Sequence, residues 1–100
     1  MAKKLEFDDY KISNLRYAVT TVSGVYIASL ADYVIISSGI SITLPMASTN
    51  KGRMYIIKST SSNISLGVPL PLNPAVLTVT SGTCMHVISD GTTWVDITPG

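Results

Sequence analysis

The sequence predicts an all-β fold, an antiparallel β-sandwich or barrel-like knob, and three observations carry that expectation. Ile, Val and Thr supply 31 of the 100 residues, and β-branched side chains fit a pleated sheet better than a helix. Apolar and hydroxyl residues alternate along Gly39-Ile40-Ser41-Ile42-Thr43-Leu44-Pro45, the period-two signature of a strand with one buried face. Short links such as Ser23-Gly24 and Asp90-Gly91 punctuate the apolar runs throughout, as turns between strands do.

The predicted strands can be placed in chain order. Tyr17–Val22, Val25–Leu30, Tyr33–Ser37 and Ile40–Leu44 are separated by Ser23-Gly24, Ala31-Asp32 and Ser38-Gly39. Links of about two residues imply an antiparallel meander. Pro45 closes the fourth strand, Met46–Asn50 suits a single helical turn, and Asn50-Lys51-Gly52-Arg53 turns the chain into a strand over Arg53–Ser59. Ile64–Leu66 follows. Val68-Pro69-Leu70-Pro71-Leu72-Asn73-Pro74 cannot be a central strand, since three prolines lack the amide hydrogen a ladder requires. It is expected to be an extended loop presenting Leu70 and Leu72, either into the subunit's own core or onto a neighbouring subunit. Ala75–Thr80 resumes a strand. Cys84–Ser89 and Thr92–Ile97 then flank Asp90-Gly91, a pair favoured by a type I′ hairpin. A two-residue loop pairs Val87 with Trp94 and His86 with Val95. It places Val87 and Trp94 on one face, with His86, Ile88, Val95 and Ile97 on the other.

Composition narrows the function. Charged residues are only 13% of the chain, about half the usual ~25%, whereas Ser and Thr supply 24 residues. No apolar run approaches the ~20 residues of a spanning helix, so no membrane insertion is expected. Hydrophobic residues at 46% and a net charge of +1 argue against disorder, and the charge balance argues against nucleic acid. From Ser59 to Ser89 there is no charged residue. Monomers protect sheet edges with charge, so a stretch of this kind points to burial between subunits; the alternative is a core strand pair with a Ser/Thr face in water, as antiparallel sheets often have. Cys84 is the only cysteine, which excludes an intrachain disulfide. Met1-Ala2-Lys3-Lys4 leads into Leu5-Glu6-Phe7-Asp8-Asp9 rather than an apolar signal core. The triplet Asn63-Ile64-Ser65 reads as loop chemistry.

No constellation of reactive residues emerges. Cys84, Met85 and His86 resemble copper ligands, but electron-transfer copper sites need two histidines and the chain has one. A Cys84–His86 nucleophile pair shares a strand face at roughly 7 Å, beyond hydrogen-bond reach; a small buried thiol beside a surface imidazole explains both residues. Asp32 and Asp90 fall in turns and Asp96 among apolar neighbours, which explains them without paired-carboxylate chemistry. Arg53, Tyr55 and Lys58 form only a weak stacking-and-charge pattern. The chain is expected to be non-catalytic and to need no cofactor or metal.

Three landmarks in order carry a resemblance: Ser38-Gly39-Ile40-Ser41-Ile42-Thr43-Leu44-Pro45, then Asn50-Lys51-Gly52-Arg53 with its following Ile-Lys strand, then Ile88-Ser89-Asp90-Gly91-Thr92-Thr93-Trp94. Over about residues 33–97 the chain resembles a β-module of tailed-bacteriophage virion fibres. The resemblance implies a homotrimeric, non-enzymatic head or knob in the virion, assembled in the host cytoplasm, with capsid or other virion proteins as partners. The lack of a repetitive shaft favours a head-fibre or capsid decoration protein. The alternative is a tail-fibre or baseplate receptor-binding domain, in which Trp94, Tyr55 or another exposed aromatic stacks on host-surface carbohydrate.

Charge divides the chain. Lys3, Lys4, Glu6, Asp8, Asp9 and Lys11 crowd around Leu5, Phe7, Tyr10 and Ile12. Residues 1–14 are therefore expected to form a short N-terminal attachment arm, helical or extended; the alternative is that they add an edge strand or a capping helix to the chain's own trimer. Leu5, Phe7, Tyr10 and Ile12 are its contact candidates, and residues 15–100 form the β-rich head domain.

Overall fold

The computed structural model describes residues 17–69 and 77–99. The described chain is all-β. Its strands are β1 (Val19–Val22), β2 (Val25–Ile27), β3 (Val34–Ser37), β4 (Ser41–Thr43), β5 (Met54–Ser59), β6 (Ile64–Gly67), β7 (Leu77–Val79), β8 (Cys84–Ser89) and β9 (Trp94–Asp96). One 3-10 turn, Ala47–Thr49, interrupts them.

Consecutive strands do not pair as a meander. The chain alternates between a five-stranded sheet, β1-β3-β5-β8-β9, and a four-stranded sheet, β2-β4-β6-β7. β1, β3 and β5 run parallel, as do β2, β4 and β6; only β7, β8 and β9 join their neighbours antiparallel. The antiparallel expectation is thus corrected for the first six strands. A two-residue link is short enough for a hairpin, but it also suits a corner that carries the chain from one sheet to the other. Burial separates the two: the crossing arrangement sets Ile35, Ile57 and Val87 of one sheet in the same apolar cluster as Ile42, Ile64 and Leu66 of the other. Each of those six side chains is completely buried, worth roughly 1.5–3 kcal/mol apiece on transfer from water.

The corners are built from small residues. Gly24 has φ +76°, a conformation disfavoured for side-chain-bearing residues. The next corner, at Ser38-Gly39, approaches it closely: the Ser38 N–H donates to the Val22 carbonyl at 3.1 Å, and the Gly39 N–H donates to Ser37 Oγ at 2.9 Å. Ser37 and Ser59 are aligned across β3 and β5 and fully buried. Their hydroxyls stay compatible with the core because each is hydrogen-bonded, Ser59 Oγ donating to the Ser62 carbonyl.

Pairing of Val19 with Val34 and of Val34 with Ile56 means that the first return to this sheet takes 15 residues and the second 22. The extra length holds the 3-10 turn and the Asn50-Lys51-Gly52-Arg53 turn, with Gly52 at φ +88°. The C-terminal hairpin grips this insertion. Trp94 Nε1 donates to the Pro45 carbonyl at 2.8 Å, and Ser89 Oγ donates to the Ala47 carbonyl at 2.7 Å.

The hairpin itself departs from expectation. Ser89 pairs with Trp94, Ile88 with Val95 and Val87 with Asp96, so four residues, Asp90–Thr93, form the loop. Gly91 has φ +95°, but Asp90 has no positive φ, which excludes a type I′ turn. The Asp90 carboxylate instead accepts from the Thr92 and Thr93 N–H groups at 2.8 and 2.9 Å. The register differs from the expected one by two residues, an even number, so the faces survive: Val87 and Trp94 are buried, while His86, Ile88 and Val95 lie on the opposite side.

Candidate functional site

Strand β5 alternates half-buried Met54, Ile56 and Lys58 with buried Tyr55, Ile57 and Ser59. Its neighbours do the same, and register carries the pattern across the sheet. Val19, Val34, Ile56 and His86 form one row; Met54, Ile88 and Val95 form another. The outer face of the five-stranded sheet is therefore apolar, with Lys58 its only charged strand residue among those described, and the Lys58 ammonium donates to the Gly82 carbonyl at 2.8 Å. Five strands at about 4.8 Å spacing make this face ~19 Å across.

The outer face of the four-stranded sheet is different. Ser41, Thr43, Ser65 and Thr78 occupy its outward positions, a wettable surface. Among the described strand residues, apolar side chains appear there only on the edge strand β2, where Val25 and Ile27 are 71% and 72% exposed. The contrast was legible in principle: Val34-Ile35-Ile36 and Ile56-Ile57 are continuous apolar runs, as expected for strands covered on both faces, whereas Ser41-Ile42-Thr43 alternates.

A second feature lies at the Ala28–Tyr33 corner. Asp32 is 7% exposed, and its carboxylate accepts from Thr20 Oγ1 at 2.6 Å, Tyr26 Oη at 2.7 Å and the Ser29 N–H at 2.8 Å. Burial pushes the Asp32 carboxyl up, but these hydrogen bonds to its charged form outweigh burial and hold it below the usual carboxylate range. The same contact raises the Tyr26 phenol, chiefly because it donates to Asp32. Burial raises the Tyr55 phenol, whose hydroxyl donates to the Ser29 carbonyl at 2.9 Å.

Between this corner and the Asn50–Arg53 turn runs an open, shallow groove of about 660 Å³, lined by Asp32, Tyr33 and the segment Thr49–Met54. Arg53 bridges its walls: Nε donates to Asn50 Oδ1 at 3.0 Å and Nη1 to the Leu30 carbonyl at 2.9 Å. Along the chain, Asp32 and Lys51-Gly52-Arg53 read as separate turn formers. Nothing in their spacing signals that the crossing between sheets brings them together.

The remaining residues singled out in the sequence fall as follows. Trp94 is 3% exposed and Tyr55 fully buried, their ring centroids 5.6 Å apart inside the core. Neither can stack on a sugar, because strand alternation turns both inward. Cys84 is exposed rather than buried, since it shares the outer face with His86 at the end of β8. The arm candidates Leu5, Phe7, Tyr10 and Ile12, and the interface candidates Leu70 and Leu72, lie outside the described residues. Among the described residues no group of three or more His, Cys, Asp or Glu side chains converges in a metal-binding arrangement, and no helix is long and apolar enough to cross a membrane.

Comparison of the chain with protein-family models, curated proteins and solved structures finds no match.

Proposed function

We propose that this chain is a non-catalytic structural component of a bacteriophage virion, a head-fibre or capsid decoration subunit displayed as a homotrimeric knob. The observation that carries the reading is the apolar outer face of the five-stranded sheet, set against the hydroxyl-rich outer face of the other sheet. An apolar face of this extent in water favours association. Further copies of the chain are its occupants: equivalent faces meet without charge repulsion, because the one charged strand residue, Lys58, has its ammonium turned to the Gly82 carbonyl. The sheet facing outward is then the Ser- and Thr-rich one, which suits display. The order of the Leu-Pro, Gly-Arg and Asp-Gly-x-x-Trp landmarks supports the virion assignment, and residues 1–14 supply attachment to the particle.

Two measurements test this. Light scattering in dilute solution is expected to give three times the 10.6 kDa chain mass; a stable soluble monomer overturns the oligomer. Mass spectrometry of purified particles is expected to find the chain in the virion, and its absence overturns the location. The groove beside Arg53 favours a second reading, a tail-fibre or baseplate domain that contacts host-surface carbohydrate.

A further inference from the structure

We propose that the open edges of β1 and β2 are the docking site of residues 4–12 of the same chain, residues 4–7 lying parallel beside β1 and residues 10–12 beside β2. The inference goes beyond the proposed function and holds whether or not the protein sits in a virion.

β1 and β2 are each the end strand of a sheet, and neither edge is protected. From Tyr17 to Ala31 there is no charged residue and no proline, the residues that normally keep an unpaired strand from pairing. In a parallel pair a residue turns both backbone groups to the same side, and its neighbours turn theirs to the other. The Ala18 and Val22 carbonyls accept from Val34 and Ser38, so the Val19 and Thr21 backbone groups point to the open side. The Ala28 N–H donates to the Thr43 carbonyl, so those of Val25 and Ile27 point away from β4. The side chains are equally incomplete. Thr20, Val22 and Tyr26 are only half-buried, whereas Ile35, Ser37 and Ile42 beside them are completely buried.

The sequence ahead of β1 repeats the spacing of the strands that follow. β1 and β3 align at an interval of 15 residues; Ser23-Gly24 joins β1 to β2, and six residues, 28–33, join β2 to β3. Counting 15 back from β1 and β2 gives Lys4-Leu5-Glu6-Phe7, the two-residue link Asp8-Asp9, and Tyr10-Lys11-Ile12. Six residues, 13–18, then lead into β1. At the same interval Ile12, Leu15 and Val19 are repeated as Ile27, Leu30 and Val34. This register would set Leu5 and Phe7 against Thr20 and Val22 on the buried side, and Tyr10 and Ile12 beside the exposed Val25 and Ile27. Lys11 would align with Tyr26, whose hydroxyl meets the buried Asp32 carboxylate. Lys4 and Glu6 would face outward and give the end of the stack the charge that β1 and β2 lack, as terminal repeats do. Because both links match their counterparts in length, the chain's own segment reaches the edges and no second copy is required.

The test is amide hydrogen exchange of the full chain by NMR. The Val19, Thr21, Val25 and Ile27 amides are expected to exchange about tenfold or more slowly than in an unstructured chain. Leu5→Asp combined with Phe7→Asp should restore fast exchange at Val19 and Thr21 while the Ile57 and Val87 amides stay protected. Glu6→Gln, on the outward side, should change neither. A terminal strand opens without the layers beneath it, so exchange rather than melting temperature reads the docking. In a mixture of isotope-labelled and unlabelled wild-type chains, contacts of Leu5 and Phe7 with Thr20 and Val22 should lie within one chain. Those contacts decide the matter if the double variant unfolds. Unprotected edge amides in the wild type, protection that survives the double substitution, or contacts only between chains each overturns the proposal.

Discussion

Gly39 and Gly24 meet so closely at successive corners that a Cβ built on Gly39 would lie 1.9 Å from the Gly24 carbonyl oxygen. The contact is backbone on backbone, so no side chain can rotate away to relieve it. It sets how near the first two turns of the chain approach, and therefore whether β1 reaches β3 and β2 reaches β4.

Gly39→Ala is accordingly expected to destabilise the protein by about 3 kcal/mol, the upper range for an overpacked site. Gly24→Ala should cost less, about 1–2 kcal/mol, because its penalty is the positive φ alone and the space around it is open. Urea denaturation of both variants checks the order; a larger loss for Gly24→Ala would show that the corners relax apart.

Gly91→Val is expected to cost roughly 1–3 kcal/mol even though the turn is not type I′. Gly91 keeps φ +95° and lies under the Lys51 stem, so a β-branched side chain meets both backbone strain and crowding. An unchanged melting temperature would mean that the Asp90–Thr93 loop readily adopts another conformation.

Asp32 gives the fold an acid limb. Its folded carboxyl titrates below the unfolded one, so its contribution is complete above the unfolded value and is lost as pH falls through the folded value, below about pH 4. Asp90 and Asp96 are also lowered, by hydrogen bonds from Thr92 and Thr93 and from Thr98, and titrate in the same window. Comparison with Asp32→Asn isolates the buried group. The variant should lose about 1–3 kcal/mol at neutral pH and show a flatter decline in acid. Parallel pH profiles for the two proteins would remove Asp32 from this role.

Ile56→Lys, in the middle of the apolar outer face, is expected to yield a folded monomer, whereas Thr78→Lys on the hydroxyl-rich face should leave the oligomer unchanged. Light scattering with circular dichroism reads both. An Ile56→Lys protein that keeps the wild-type mass would move the subunit contact to another surface.

Deletion of residues 1–14 is expected to leave an oligomer with normal melting that no longer joins particles. Unfolding of the truncated protein would instead place the segment within the fold.

Strand positions were legible in the sequence because alternation and turn residues act locally. Cys84–Ser89 matches at both ends, and the inward turn of Val87 and Trp94 follows from parity even though the hairpin register differs by two. The turn at Asn50–Arg53 was equally visible. What tertiary structure decided was pairing. Ser23-Gly24 and Ser38-Gly39 are compatible with hairpins and with corners alike, and the choice lies in burying Ile35 and Ile57 against Ile42, Ile64 and Leu66, residues far apart in sequence. The same crossing brought Arg53 to Leu30 and left an apolar face outside β3, β5 and β8. Backbone conformation and side-chain alternation depend on near neighbours, and so are written residue by residue. Which strands meet depends on the apolar surface of the whole chain, and only the assembled sheets settle it.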